Sequence, residues 1–180
     1  MEYSFSVFCD FSKEKLSHAL KCALNKNSLP IIVCIGSDLV LGDSLGPLVG
    51  TMLKRKNLGA YIYGTLNHPI TAKEVEYAKK YLKLLHPNST LIAIDAAVGK
   101  QDDVGLLRLF DRGLKPGLGV NKNLSAIGDI SIIGVVAEKT AQNYKLFNLT
   151  RLNLVYKMAE SISGAIETAI FSCHKNTEIV

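Results

Sequence analysis

The stretch Leu29–Gly36, with the sequence LPIIVCIG, decides the fold of this chain. It is a continuous apolar run, which is typical of a strand that is buried on both faces of a parallel sheet. The loop Ser37–Gly42 follows it, and Asp43 then stands at the start of a predicted helix. A second apolar run, Leu91–Ile94, also leads directly into an acid, Asp95. Because open α/β sheets carry their sites at the carboxyl ends of the strands, the two acids predict a site at that edge.

Strands alternate with helices outward from this stretch. The predicted strands are Pro30–Ile35, Ala60–Thr65, Thr90–Ile94, Val104–Phe110 and Ile130–Val136. The predicted helices are Lys13–Leu24 with Ser12 as its N-cap, Ser44–Lys56, Ala72–Leu85 with Thr71 as its N-cap, and Leu146–Cys173. This alternation predicts an α/β three-layer sandwich, with a mostly parallel sheet flanked by helices. We expect a single domain over residues 1–180 with its core at 12–173.

Composition and charge narrow the function classes. The 180 residues are 48% hydrophobic and carry a formal charge of +5, and their lysines are scattered. We therefore expect a globular protein without specific nucleic-acid binding. We expect no signal peptide, because the first residues lack a positive region followed by an apolar one. We expect no membrane span, since no apolar stretch reaches the roughly 18–20 residues that a span needs. The four cysteines form no C-x-x-C pair, which favours a reducing, cytoplasmic location.

Two carboxylates at one sheet edge can share a proton and perform acid/base chemistry. Each acid also has a simpler interpretation, because Asp43 could cap the following helix and Asp95 could bind turn N–H groups. The functional interpretation rests on the two occurring together. Three further residues are candidates for substrate contact or support of the pair. Asp38 shares the loop with Asp43, His68 follows a predicted strand, and Asp129 precedes the last strand.

Ser44 is a candidate for a different reason. The tetrapeptide Gly42–Leu45 reads GDSL, the signature of a class of serine hydrolases. Those enzymes need a late Asp-x-x-His to activate the serine, and no histidine here has an acid three residues before it. The match is therefore interpreted as coincidental. No spacing of His and Cys typical of zinc sites occurs, and Gly36–Gly42 fits no nucleotide-binding motif, so we expect no cofactor and do not favour a divalent metal.

Five sequence blocks in order carry a resemblance to a known family. The chain resembles the YyaC-like sporulation proteins of spore-forming Firmicutes from about residue 16 to residue 172. The blocks are Ile35–Asp38, Gly42–Gly50, Tyr63–Leu66, Ile94–Ala96 and Gly128–Ile132.

That family is similar to two groups of peptidases with a phosphorylase/hydrolase-like α/β fold. The first is the germination protease, which degrades small acid-soluble spore proteins, and the resemblance implies that Asp43 and Asp95 match its acid pair. The second is the hydrogenase maturation endopeptidases, whose first two metal-binding acids also match Asp43 and Asp95. Their third ligand, a histidine, has no counterpart around Leu124–Ile130. The chain is shorter than the germination protease, so substrate specificity does not transfer.

The resulting hypothesis is a sporulation-associated endopeptidase of the cytoplasm. Its expected partners are protein or peptide substrates, small acid-soluble spore proteins among them, and a homodimer is left open. The alternative is a non-catalytic sporulation protein that binds partners or serves as a scaffold while retaining the fold. The candidate catalytic residues are Asp43 and Asp95, and the candidate substrate-contact or supporting residues are Asp38, Ser44, His68 and Asp129.

Overall fold

The computed structural model describes residues 1–25, 28–116, 125–139 and 150–174. Six strands, four α-helices and two short 3-10 turns are found in these residues. In chain order they are β1 (Glu2–Ser6), α1 (Ser12–Ala23), β2 (Ile31–Cys34), a 3-10 turn (Leu41–Ser44), α2 (Leu45–Lys54), β3 (Tyr61–Tyr63), α3 (Val75–Leu85), β4 (Leu91–Gly99), a 3-10 turn (Gln101–Asp103), β5 (Leu106–Phe110), β6 (Ile130–Glu138) and α4 (Leu152–His174).

The strands form one mostly parallel sheet in the order β1-β5-β6-β4-β2-β3. The four strands β6, β4, β2 and β3 are parallel to one another, while β5 is antiparallel to β6 and β1 is antiparallel to β5. In the centre of the sheet, Ile32 of β2 pairs with Ile92 of β4 on one side and with Ile62 of β3 on the other. The predicted α/β fold with a mostly parallel sheet is therefore confirmed.

Helices cover both faces of the sheet. Ile32 and Ile92 point to the face that packs against α1, α2 and α4, where the larger hydrophobic core lies. Val33 and Ala93 point to the other face, where a smaller core includes residues of α3. The alternation of side chains along each strand sends successive apolar residues to opposite faces, which is why the central strands read as continuous apolar runs. Within the described ranges, no helix is long and apolar enough to cross a membrane.

β4 is longer than the sequence predicts. The apolar run indicated an end at Ile94, but the strand extends over Leu91–Gly99 because β6 continues to pair with it as far as Gly99. β2 stops pairing with β4 at Cys34. Asp95 therefore lies in the middle of β4 and just beyond the end of β2, so its prediction as a strand-end residue is wrong.

Several other boundaries differ from the prediction. Phe11, in a left-handed conformation with φ 66°, takes the N-cap position of α1, and no side-chain cap bond is made there, so the prediction of Ser12 as N-cap is wrong. The edge strand β1 was not predicted, because its alternation of Tyr3 and Phe5 with polar residues is short and its residues are largely exposed. Of the predicted last helix, residues 146–149 lie outside the described residues.

Candidate active site

Asp43 lies in the 3-10 turn that follows β2, and backbone hydrogen bonds fix this turn. The Asp43 N–H donates to the Val40 carbonyl at 2.9 Å, and the Ser37 N–H donates to the Asp43 carbonyl at 3.1 Å. The loop between β2 and α2 therefore closes on itself. As a result, Asp43 is held directly beyond the end of β2.

Two glycines permit this close approach. Gly36 has φ +139°, a conformation that L side chains rarely adopt, and a Cβ on it would lie 2.0 Å from the Asp43 carbonyl oxygen. A Cβ on Gly46 would lie 2.0 Å from the Ile35 carbonyl oxygen. Both distances are far below van der Waals contact, so only glycine allows the first turn of α2 to rest against the end of β2. The two glycines thus determine where Asp43 stands.

Asp95 presents a buried carboxyl to the same place. Its side chain belongs to a residue that is 8% exposed, and its Oδ1 accepts the Ala96 N–H at 2.8 Å. Burial, followed by the negative charge of Asp43, raises the pKa of Asp95 well above its usual value, and the Ala96 hydrogen bond opposes that rise only in part. The structure therefore brings the two predicted catalytic acids close enough to interact electrostatically.

The pKa of Asp43 is also raised, by burial, while a hydrogen bond from the Ser37 backbone lowers it. Asp43 is only partly buried, whereas Asp95 is almost fully enclosed. Two neighbouring carboxyls in unequal environments tend to divide into one that keeps its proton and one that ionises. This arrangement can supply a general base and a general acid within one site.

Asp38 and His68 lie at the same edge of the sheet but do not join the pair. Both are exposed. The turn of His68 is adjacent to the end of β2, because the Gly36 N–H donates to the Ile70 carbonyl at 2.9 Å. In the part of the chain that the structure describes, neither side chain makes a hydrogen bond to either acid. Substrate contact is the role that their positions allow.

Ser44 is enclosed by the turn it belongs to. The residue is 7% exposed, and its hydroxyl donates to the Leu41 carbonyl at 2.6 Å. A hydroxyl that is buried and donates its hydrogen to a backbone carbonyl is shielded from substrate and is not hydrogen-bonded to a base that could activate it. The position thus fits the interpretation of the GDSL tetrapeptide as coincidental, and the candidate role in substrate contact does not fit.

Asp129 lies at the opposite edge of the sheet. Its Oδ2 accepts the Leu91 N–H at 2.9 Å, and its own N–H donates to the Leu91 carbonyl at 2.7 Å. Leu91 begins β4, and four residues of strand separate it from Asp95 by about 13 Å. Asp129 therefore has no place beside the pair, because its side chain and its backbone are both bound to Leu91 at the start of β4. It lines a separate cavity of about 410 Å³ together with Lys79 and His86.

The groups that assist the pair were not predicted from the sequence. The amide of Ala96 binds Asp95, and the amide of Ser37 binds the turn that holds Asp43. Backbone amides of ordinary residues carry no signature in a sequence. The glycine at position 36 was a usable signal, since an isolated glycine after a buried strand often marks close backbone approach.

The metal implied by the resemblance to hydrogenase maturation endopeptidases does not fit the residues present. In the described ranges, no group of three or more His, Cys, Asp and Glu side chains comes together in a way that could hold a metal ion. The sequence has no histidine between His86 and His174 to complete the set. Asp43 and Asp95 would be left as two carboxylates without a third ligand.

The chain belongs to the family DUF1256, which is described as a protein of unknown function and whose model matches residues 9–165. It is 41% identical over 152 residues to the uncharacterized protein YyaC of Bacillus subtilis (strain 168), and the match covers 84% of this chain and 73% of that protein. The resemblance to YyaC-like proteins is thereby confirmed.

A similarity to a solved structure is more distant. The [NiFe] hydrogenase maturation protease HycI from Thermococcus kodakarensis KOD1 superposes with a TM-score of 0.49 at 17% sequence identity. The similarity covers 82% of this chain and 98% of that one.

Proposed function

We propose that this protein is an endopeptidase that hydrolyses peptide bonds with the acid pair Asp43 and Asp95. One observation carries the proposal: the pKa of Asp95 is raised well above its usual value by burial and by the charge of Asp43. A raised pKa that depends on a neighbouring carboxyl is typical of paired acids that share a proton. The resemblance of both positions to the acid pair of the germination protease supports the same role.

The two acids take different parts in the reaction. Asp95 is the more deeply buried and keeps its proton, whereas Asp43 is partly exposed and ionises first. Ionised Asp43 accepts a proton from a water molecule as that water attacks the peptide carbonyl carbon. Asp95 donates its proton to the carbonyl oxygen, and the proton held by Asp43 then passes to the leaving amine as the C–N bond breaks. In the same step one hydroxyl of the tetrahedral intermediate returns its proton to Asp95, so the products are a carboxylic acid and an amine, and both acids regain their starting states.

We assign the substrates to proteins of the sporulating cell or spore, with small acid-soluble spore proteins as the first candidates. The support is the resemblance to the germination protease and the cytoplasmic location that the cysteine pattern favours. The pair acts without a cofactor in this proposal.

The test is cleavage by purified wild type, Asp43→Asn and Asp95→Asn, with fragments identified by mass spectrometry. The substrates are small acid-soluble spore proteins and β-casein, which is an unfolded protein. Removing either acid should slow cleavage by about 100-fold or more, which is the usual contribution of an acid or base group. The matched control is Asp102→Asn, since Asp102 is an exposed acid in the turn after β4. A chelator should leave the wild-type rate unchanged. Wild-type rates in both acid variants would rule the mechanism out.

A binding or scaffold role is the second candidate, and one observation favours it. Asp95 is almost fully buried and accepts a backbone N–H from Ala96, as a purely structural acid would. A protein of this kind would cleave neither substrate as wild type, yet would still bind a partner. The absence of any fragment from wild type in the experiment above would select this role.

A further inference from the structure

β4 extends beyond the strand that covers one of its sides. Its pairing with β6 continues to Gly99, but its pairing with β2 ends where Cys34 meets Ile94. In the described part of the chain, no strand pairs with β4 on the β2 side beyond Ile94. The segment Asp95–Gly99 therefore has one paired side and one open side.

Hydrogen bonds identify which residues face the open side. The Ile94 carbonyl accepts the Ile35 N–H at 2.7 Å on the β2 side of the strand. The Gly99 carbonyl accepts the Lys139 N–H at 2.7 Å on the β6 side. Because the N–H and C=O of successive residues point to alternate sides of a strand, even-numbered residues of β4 face β2 and odd-numbered residues face β6.

The open edge consequently consists of the backbone of Ala96 and Val98. The Ala96 N–H is already bound by the Asp95 carboxylate at 2.8 Å. Among the residues that the structure describes, the Ala96 carbonyl and the Val98 amide have no backbone partner on this side, and they face outward as one acceptor and one donor two residues apart. This is the hydrogen-bonding pattern that a neighbouring strand would satisfy.

The edge is also accessible and lies beside the acid pair. Residues Leu91–Asp95 are buried, whereas Ala96–Gly99 are partly exposed. The side chains of Ala96 and Val98 pack against the larger core, so they point away from the plane in which an added strand would lie. Asp95 immediately precedes the edge, and its carboxylate already contacts the first residue of it.

We propose that an extended, unfolded segment of a protein substrate binds β4 as an added strand at Ala96 and Val98. This inference rests on the proposed peptidase function and names the form in which that site takes its substrate. Recognition is by the peptide backbone, so it tolerates many side chains but rejects segments that are folded into helices. In a substrate segment that pairs with this edge, a peptide bond just beyond the paired residues lies at Asp43 and Asp95.

The experiment measures the Val98 amide directly. Hydrogen exchange of uniformly ¹⁵N-labelled Asp43→Asn is followed by NMR with and without β-casein, which supplies unfolded segments of many sequences. Asp43→Asn is used because the probe should stay intact while the contact between Asp95 and Ala96 remains. We expect β-casein to slow exchange at Val98 by about tenfold, the effect of one added hydrogen bond, and to leave the buried amide of Val33 unchanged.

The outcomes separate this inference from the proposed function. If wild type cleaves the substrates but β-casein does not protect Val98, the proposed strand addition is wrong and the proposed peptidase function is unaffected. If β-casein protects Val98 but wild type cleaves nothing, the proposed strand addition is supported and the proposed peptidase function is wrong. Protection that grows with protein concentration in the absence of β-casein would mean that a second copy of the chain occupies the edge, which overturns the inference.

A pair of variants gives a second, independent readout. Val98→Pro in the Asp43→Asn background removes the outward donor, and proline is tolerated where the N–H of an edge strand faces outward. We expect it to weaken β-casein binding by about tenfold, because one hydrogen bond is lost. Val98→Ala shortens the same side chain but keeps the amide, and binding should stay within about twofold. Equal binding by both variants would contradict the inference. If Val98→Pro does not fold, the exchange measurement decides.

Discussion

At the scale of single residues, Asp95 makes the folded protein hold a proton at pH values where the unfolded chain has lost it. Its pKa is raised in the folded state by burial and by Asp43. The stability that goes with this proton is fully present below the unfolded pKa of about 3.9. It is lost as the pH rises through the window between the unfolded and the folded pKa. At neutral pH the ionisable group therefore costs stability.

Asp95→Asn should raise the free energy of unfolding at pH 7. The expected gain is about 1.4 kcal/mol for each unit by which folding raises the pKa of Asp95, up to the working pH. Asparagine does not titrate and can still accept the Ala96 N–H through its side-chain oxygen. Urea denaturation of wild type and variant at pH 4 and pH 7 measures the difference. We expect the two proteins to differ little at pH 4 and the gap to open toward pH 7.

Asp102→Asn is the control for this comparison, because it makes the same substitution at an aspartate that is exposed in the turn after β4. Its free energy of unfolding should track that of wild type at both pH values within about 0.5 kcal/mol. A gap between Asp95→Asn and wild type that is the same at pH 4 and pH 7 would show that Asp95 titrates as it does in the unfolded chain.

At the scale of elements, the contact between β2 and the start of α2 depends on Gly46. Gly46→Ala would place a methyl group 2.0 Å from the Ile35 carbonyl oxygen, and neither backbone can move without disturbing the buried strand. We expect a loss of about 1–3 kcal/mol in the free energy of unfolding, which is typical of overpacking. Cleavage should fall as well, because the shift displaces the turn that holds Asp43.

Gly59→Ala is the matched control for this helix-to-strand contact. Gly59 is exposed in the connection between α2 and β3, and its φ is not positive. We expect the unfolding free energy of this variant to stay within about 0.5 kcal/mol of wild type in urea denaturation. If Gly46→Ala is as stable as Gly59→Ala, then the first turn of α2 does not contact the end of β2 closely enough to exclude a methyl group.

The central elements could be predicted because their signals are local. A continuous apolar run such as that of β2 is enough to identify a doubly buried strand, and Asp43 and Asp95 follow from where two such runs end. The length of β4 could not be predicted, since Ala96–Gly99 is strand only because β6 continues beside it. Edge strand β1 forms by pairing with β5, which lies about a hundred residues away in sequence. Asp129 precedes β6 and so stands at the amino end of the parallel strands, but its partner, the Leu91 backbone, is known only after folding.

At the scale of the whole molecule, the sheet is covered unequally on its two faces. Three helices and the larger core cover one face, and α3 contributes only two buried residues, Val75 and Leu82, to the smaller core on the other. The outer surface of α3 is exposed at Tyr77 and Leu84. Elements with few buried apolar contacts open locally at a lower free energy than the global unfolding reaction.

We therefore expect α3 to open before the rest of the protein. Native-state hydrogen exchange in low concentrations of urea should give a lower opening free energy for the amides of α3 than for those of α2. Leu82→Ala should lower the α3 and α2 values by the same amount, about 2–5 kcal/mol, because the contacts of Leu82 are lost both in the local opening and in global unfolding. Leu53→Ala should lower the α2 value and leave the α3 value unchanged, because Leu53 lies in the larger core, which stays formed when α3 opens alone. Equal opening free energies for α2 and α3 in wild type would mean that both faces of the sheet unfold as one unit, and the smaller core would then be as firmly held as the larger one.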